Sequence, residues 1–179
     1  MTSRNLKRLA ASGGTAALVL AGMLFLGSGL TSRARSEGVG SHNGLEGTWL
    51  LDVTVRACQT GEECSTQCAV ARPTFPALFT FAKGGTLTLT TAGQPPALTT
   101  PGLGVWQKTG DHTYSAVSEA FVFSPFGAWI QTHRLTRAIE IGDNADQFTD
   151  IVNLEIFDTT KPPNLIATGC ATSVASRLE

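Results

Sequence analysis

The sequence predicts an all-β domain, an antiparallel up-and-down barrel of about eight strands. Three observations lead there. From residue 47 onward, stretches that alternate apolar and polar residues recur along the chain. The segments between them are mostly short and rich in Gly, Pro, Asn and Asp, the residues that turn a chain. Beyond the first part of the chain no stretch carries helical spacing, and only 15% of the residues are charged while Thr, Gly, Val, Phe and Ala are plentiful, a mixture that suits strands and tight turns.

The chain opens on a different pattern. Arg4, Lys7 and Arg8 precede the uncharged apolar run TAALVLAGMLFLGSG at residues 15–29, and small and polar residues follow. A basic start, an apolar centre and a small-residue end predict a signal peptide. The run is shorter than the roughly 20 apolar residues a membrane-spanning helix needs, so no stable membrane span is expected after cleavage. Small residues offer two cleavage positions, near residues 27–29 and at residues 34–36. The expected organisation is a signal peptide and the start of a lead-in over residues 1–36, a flexible Gly- and Ser-bearing lead-in over 37–46, and a barrel domain over 47–179. The product is expected to be secreted or periplasmic.

The strands follow in order. GTWLLDVTVR sets Trp49, Leu51, Val53 and Val55 on one face and Asp52, Thr54 and Arg56 on the other. FPALFTFA comes next, then a KGG turn at residues 83–85 and TLTLTT, where Leu87 and Leu89 alternate with threonines. Pro95, Pro96, Pro101 and Gly102 mark a loop before GVWQKT. The turn at Gly110 and Asp111 leads to HTYSAVSEAFVF, SPFG turns the chain into AWIQTHRLTRAIEI, and GDNAD leads to QFTDIVNLEIF. After DTTKPPN, LIATGCATSVASRL ends the chain. Short turns permit only antiparallel pairing of sequence neighbours, and a twisted meander of this length removes its edges by closing on itself. A two-sheet sandwich is the alternative, and it needs longer crossing connections than the sequence holds. The longest gap, residues 57–74, separates the first two long strands.

That gap carries three of the four cysteines, Cys58, Cys64 and Cys68; Cys170 lies near the end of the chain. An even number in an exported protein predicts two disulfides. The spacing C-x5-C-x3-C, with one distant partner and no neighbouring His, does not match the paired knuckles of structural zinc. Composition leaves all three pairings open.

Gly-x-Trp at the start of the first strand and a basic residue on the last resemble the lipocalin-like, or calycin, barrels. In that group the Trp plugs the closed end and the basic side chain packs over the indole, and the matching positions here are Gly47, Trp49 and Arg177. FPALFTFAKGGTL, PGLGVWQKTGDHTYS and GCATSVASR also resemble a group of small exported bacterial proteins of unknown function. If the first and last strands are antiparallel neighbours with Trp49 near Arg177, Cys58 falls opposite Thr168, two residues from Cys170. With a small register shift this favours Cys58 with Cys170, leaving Cys64 with Cys68.

Chemistry is sparse. With 13 basic against 14 acidic residues and a pI near 6.3, no global field attracts nucleic acid. No G-x-S-x-G, H-E-x-x-H, phosphate-binding loop or dinucleotide fingerprint occurs, so no catalytic set, metal or cofactor is expected. Asp143, Asp146 and Asp150 lack the Gly and late Glu of a calcium loop and read as a polar turn. His133 shares an alternating face with Trp129, Gln131 and Leu135. His133, Trp106, Tyr114 and Trp129 are the side chains expected to line a cavity, if one is present. The leading function is the binding of a small apolar or amphipathic molecule inside the barrel. The alternatives are an interaction or inhibitor module with a filled barrel and, third, a barrel cyclase or isomerase. The interior decides between the first two, because a cavity of roughly 300 Å³ or more favours a ligand.

Overall fold

The computed structural model describes residues 44–178, so the expected signal peptide and most of the expected lead-in lie outside the described residues. Nine strands form in chain order: β1 (Gly47–Ala57), β2 (Ala69–Val70), β3 (Phe75–Ala82), β4 (Thr86–Thr91), β5 (Gly102–Lys108), β6 (Thr113–Phe123), β7 (Trp129–Ile141), β8 (Gln147–Phe157) and β9 (Leu165–Arg177). Eight of them close an antiparallel up-and-down barrel in which β1, β3 and each later strand bond to the next and β9 returns to β1. The ninth, β2, is a two-residue addition where Val70 and Ala69 face Arg56 and Ala57 at the far end of β1. Closure rules out the two-sheet alternative.

Period-two alternation builds the wall. In β3, Ala77, Phe79 and Phe81 are buried while Pro76, Leu78 and Thr80 face solvent. In β1, Trp49, Leu51 and Val53 turn inward and Leu50 and Asp52 outward. The last strand meets the first with Trp49 opposite Arg177 and the register running to Arg56 opposite Cys170.

Large inward side chains fill the end of the barrel where β1 begins and β9 ends. Trp49 is fully buried, with its ring 4.8 Å from that of Phe148 in an edge-on contact. Phe81 stands 6.1 Å from Phe148 and 5.9 Å from Trp106. The Trp49 indole N–H donates to the Leu45 carbonyl at 2.9 Å, which satisfies its one polar atom. Above the ring, the Arg177 guanidinium sits 4.1 Å from its centroid and donates to the carbonyls of Gly44, Glu46 and Ala145. A Cβ on Gly47 would lie 2.6 Å from Arg177 Nη1, and Gly47 adopts φ of +125°. Only glycine fits both demands.

The cysteines pair as Cys58 with Cys68 and Cys64 with Cys170, which corrects the expected Cys58–Cys170 and Cys64–Cys68 pairs. Strand register supplies the reason. Beyond the last β1–β2 pair, Ala57 with Ala69, the next residues to face each other are Cys58 and Cys68, with Cα atoms 4.7 Å apart. Along β9, Cys170 is already opposite Arg56, so Cys58 lies two residues, about 7 Å, further on. The loop between Cys58 and Cys68 instead folds back to bring Cys64 within 5.4 Å of Cys170, Cα to Cα. Arg56 anchors it by donating to the Thr172 hydroxyl at 3.0 Å and the Cys68 carbonyl at 3.3 Å.

The Cys64–Cys170 bond spans 106 residues and the Cys58–Cys68 bond 10, so the long closure restricts the unfolded chain more. Peptide mapping of the unreduced protein is expected to link Cys64 to Cys170. The double variant Cys64→Ala/Cys170→Ala should lose about 2–5 kcal/mol in denaturant unfolding and Cys58→Ala/Cys68→Ala less. The reverse order of losses would contradict this arrangement.

Candidate functional site: the open half of the barrel

At the other end the inward positions change character. Ala77, Ala120, Gly169 and Ala171 replace the aromatic rings of the packed half, and they leave a cavity of about 250 Å³ inside the wall. Val53, Val55, Leu89 and Leu154 make most of its surface apolar. The Pro-rich loop between β4 and β5 contributes to the mouth. There Thr100 N donates to the Phe121 carbonyl and Phe121 N donates to the Thr100 hydroxyl, both at 3.0 Å. Against the same loop, Arg72 lies 4.3 Å over the Phe75 ring and donates to the Gly93 carbonyl at 3.1 Å. A volume near 250 Å³ falls short of the roughly 300 Å³ expected of a ligand site, although the barrel is not filled either. It suits a ligand of about ten heavy atoms, in proportion to the benzene that a 150 Å³ apolar cavity takes.

The cavity ends on an ion pair. Along β7 the lining positions run His133, Leu135 and Arg137, while the next inward residues, Ile139 and Ile141, belong to the packed half. Arg137 and Asp150 are each 4% exposed, and Arg137 Nη1 donates to Asp150 Oδ2. The Ser173 hydroxyl donates to the other carboxylate oxygen, and Phe79 lies 4.3 Å beneath the guanidinium carbon. The carboxylate is thus held from two strands. Two buried polar atoms are left over, with no partner among the described residues: Arg137 Nε and Ser118 Oγ.

The four side chains expected at a ligand site separate. His133 lines the cavity, with Nε2 3.4 Å from Gln131 Oε1, and burial lowers its pKa so that the neutral ring is favoured. Trp106 and Tyr114 do not line it. Their rings stand 5.8 Å apart in the packed half, where the Trp106 N–H is held by the carbonyls of Ala82 and Thr86. Trp129 lies outside the wall, 42% exposed, with its ring 5.5 Å from Phe121 and its N–H on the Gln131 carbonyl. The β6–β7 register slips at this point, pairing Val122 with Gln131 but Phe123 with Trp129, so Trp129 leaves the face it shares in sequence with His133. Asp150 also parts from Asp143 and Asp146. It is an inward residue of β8 between Phe148 and Val152, and the turn proper is closed by Gly142 and Ala145.

Sequence reasoning missed Arg137 and Asp150 as a pair. Their signal is a charge in an apolar register: Arg137 between Leu135 and Ile139 on one strand, Asp150 between Phe148 and Val152 on the next. No family model matches the chain, and no curated protein matches it. The barrel fits a calycin-like fold.

Removing one partner of a buried pair strands the other charge. Arg137→Ala is therefore expected to destabilise the protein by about 3–5 kcal/mol, whereas Arg137→Met/Asp150→Leu should fall within about 2 kcal/mol of the parent. Urea unfolding of the two variants checks this. A double variant as damaged as the single one would show that the pair supports the fold beyond its own neutralisation.

Proposed function

We propose that the protein is an exported, lipocalin-like binder that holds a small apolar or amphipathic molecule in the open half of its barrel. The observation that carries this reading is the division of the interior, packed with aromatics at the Trp49 end and hollow where Ala77, Ala120 and Ala171 face inward. Two disulfides are the bonds of an oxidising compartment and support export. Among the described residues no helix is long and apolar enough to cross a membrane.

A second reading, a protein-interaction module, draws on one feature. The β6–β7 turn carries Phe126 at 97% exposure next to Trp129 and Ile130, outside the cavity.

Native mass spectrometry of protein purified from its own host should reveal a co-purifying small molecule. Ala120→Phe/Ala171→Phe, which fills the cavity, should abolish its retention while the β-sheet circular dichroism is unchanged. A parent protein that carries no small molecule, together with Phe126→Ser abolishing capture of a protein partner, would favour the interaction module instead.

A further inference from the structure

The open end of the barrel carries an apolar tip outside the cavity. Residues 120–132, AFVFSPFGAWIQT, span the end of β6, the turn and the start of β7 without a charged side chain. Phe126 in the turn is 97% exposed, and Phe121, Trp129 and Ile130 are 42–46% exposed. Single exposed apolar residues are ordinary on a protein surface, whereas four on one hairpin mark a binding surface. Two residues back along the strands from Phe121 the chemistry changes. By register Glu119, Arg134 and Glu155 stand side by side on β6, β7 and β8, with Arg134 Nε donating to Glu119 Oε1 at 2.8 Å. An uncharged tip thus sits above a charged belt.

The donors of the turn are satisfied without water. Ser124 N bonds to the Ala128 carbonyl, Gly127 N to the Ser124 carbonyl, and Phe126 N and Ala128 N to the Ser124 hydroxyl, while Pro125 has no N–H. The Trp129 indole N–H is bonded to the Gln131 carbonyl at 2.8 Å. A turn in water needs no such closure, because water takes up its donors; in hydrocarbon each free donor is costly. Size and charge narrow the occupant further. Scaled from the usual area of such side chains, the four expose about 500 Å², short of the roughly 800 Å² that each partner of a stable protein complex buries. The belt and the neighbouring β8–β9 turn together hold three acids, Glu119, Glu155 and Asp158, against two bases, Arg134 and Lys161. That balance favours a zwitterionic surface over an anionic one.

We propose that the β6–β7 hairpin is a membrane-insertion loop that docks the open end of the barrel on a zwitterionic lipid surface. Phe126, Trp129 and Ile130 enter the acyl boundary, and the belt of Glu119, Arg134 and Glu155 stays at the level of the headgroups. The backbone bonds between Phe121 and Thr100 join this hairpin to the loop at the cavity mouth, so docking brings the mouth to the lipid. The tip itself lies outside the cavity, which makes vesicle binding and retention of a small molecule separate readouts.

Flotation with phosphatidylcholine vesicles tests this on oxidised protein purified from its own host. The parent is expected to float with the vesicles, unchanged by high salt or by added phosphatidylglycerol. Phe126→Ser, at a side chain too exposed to support the fold, should lower partitioning about tenfold or more. Brominated phosphatidylcholine should quench the tryptophan fluorescence of the parent and leave that of Trp129→Phe in place, because Trp49 and Trp106 belong to the packed half. A parent that stays off phosphatidylcholine vesicles overturns the proposal and leaves the tip to a protein partner. Flotation that persists in Phe126→Ser with no quenching at Trp129 also overturns it, as does flotation that requires phosphatidylglycerol and is lost in salt.

Discussion

The structure depends on one closure, the pairing of β9 with β1. An eight-stranded meander without it has two open edges and no enclosed interior. Here the register is fixed at both ends by different means. At one end Arg177 lies over Trp49 and holds the carbonyls of Gly44, Glu46 and Ala145, so a single guanidinium ties the start of β1 to the end of β9 and to the β7–β8 turn. At the other end Cys170 of β9 is bonded to Cys64, on the loop that leaves β1, and Arg56 reaches across to Thr172. Gly47 is required because a side chain there would occupy the space of the Arg177 guanidinium.

Closure creates an interior, and side-chain size divides it. A small barrel has room only for the side chains that point inward, so a run of aromatics fills one half and a run of alanine and glycine leaves the other half vacant. Trp49, Phe81, Trp106 and Phe148 take the first part; Ala77, Ala120, Gly169 and Ala171 bound the second. The Arg137–Asp150 pair sits at the boundary between the two. A buried pair offers little net stability, because desolvating both charges offsets most of their attraction. Its position closes the inner end of the cavity with a polar group.

Much of the fold was legible because strand alternation is a local property. The faces of β1, β3 and β4 follow directly from the spacing of Trp49, Phe79 and Leu87, and the short turns determine which strands are neighbours. Even the β1–β9 register follows from the Trp49–Arg177 match. Less local features were not legible. The disulfide pairing depends on β2, a strand of two residues that has no sequence signature, and on a loop folding back on itself. Alternation places Trp129 on the inner face because it carries no mark of the slip that turns this residue outward. Arg137 and Asp150 each broke an apolar pattern visibly, but their partnership is a diagonal contact between strands that a single strand's pattern does not contain.

β1 and β9 form a closed seam, without which neither the packed half nor the cavity exists. Amide hydrogen exchange on the oxidised protein tests it most directly. The β1 and β9 amides bonded across the seam, between Trp49 and Arg56 and between Cys170 and Arg177, are expected to exchange as slowly as those shared by β7 and β8. Exchange at those positions as fast as at an exposed strand edge, with β7 and β8 still protected, would show an open sheet in place of the barrel.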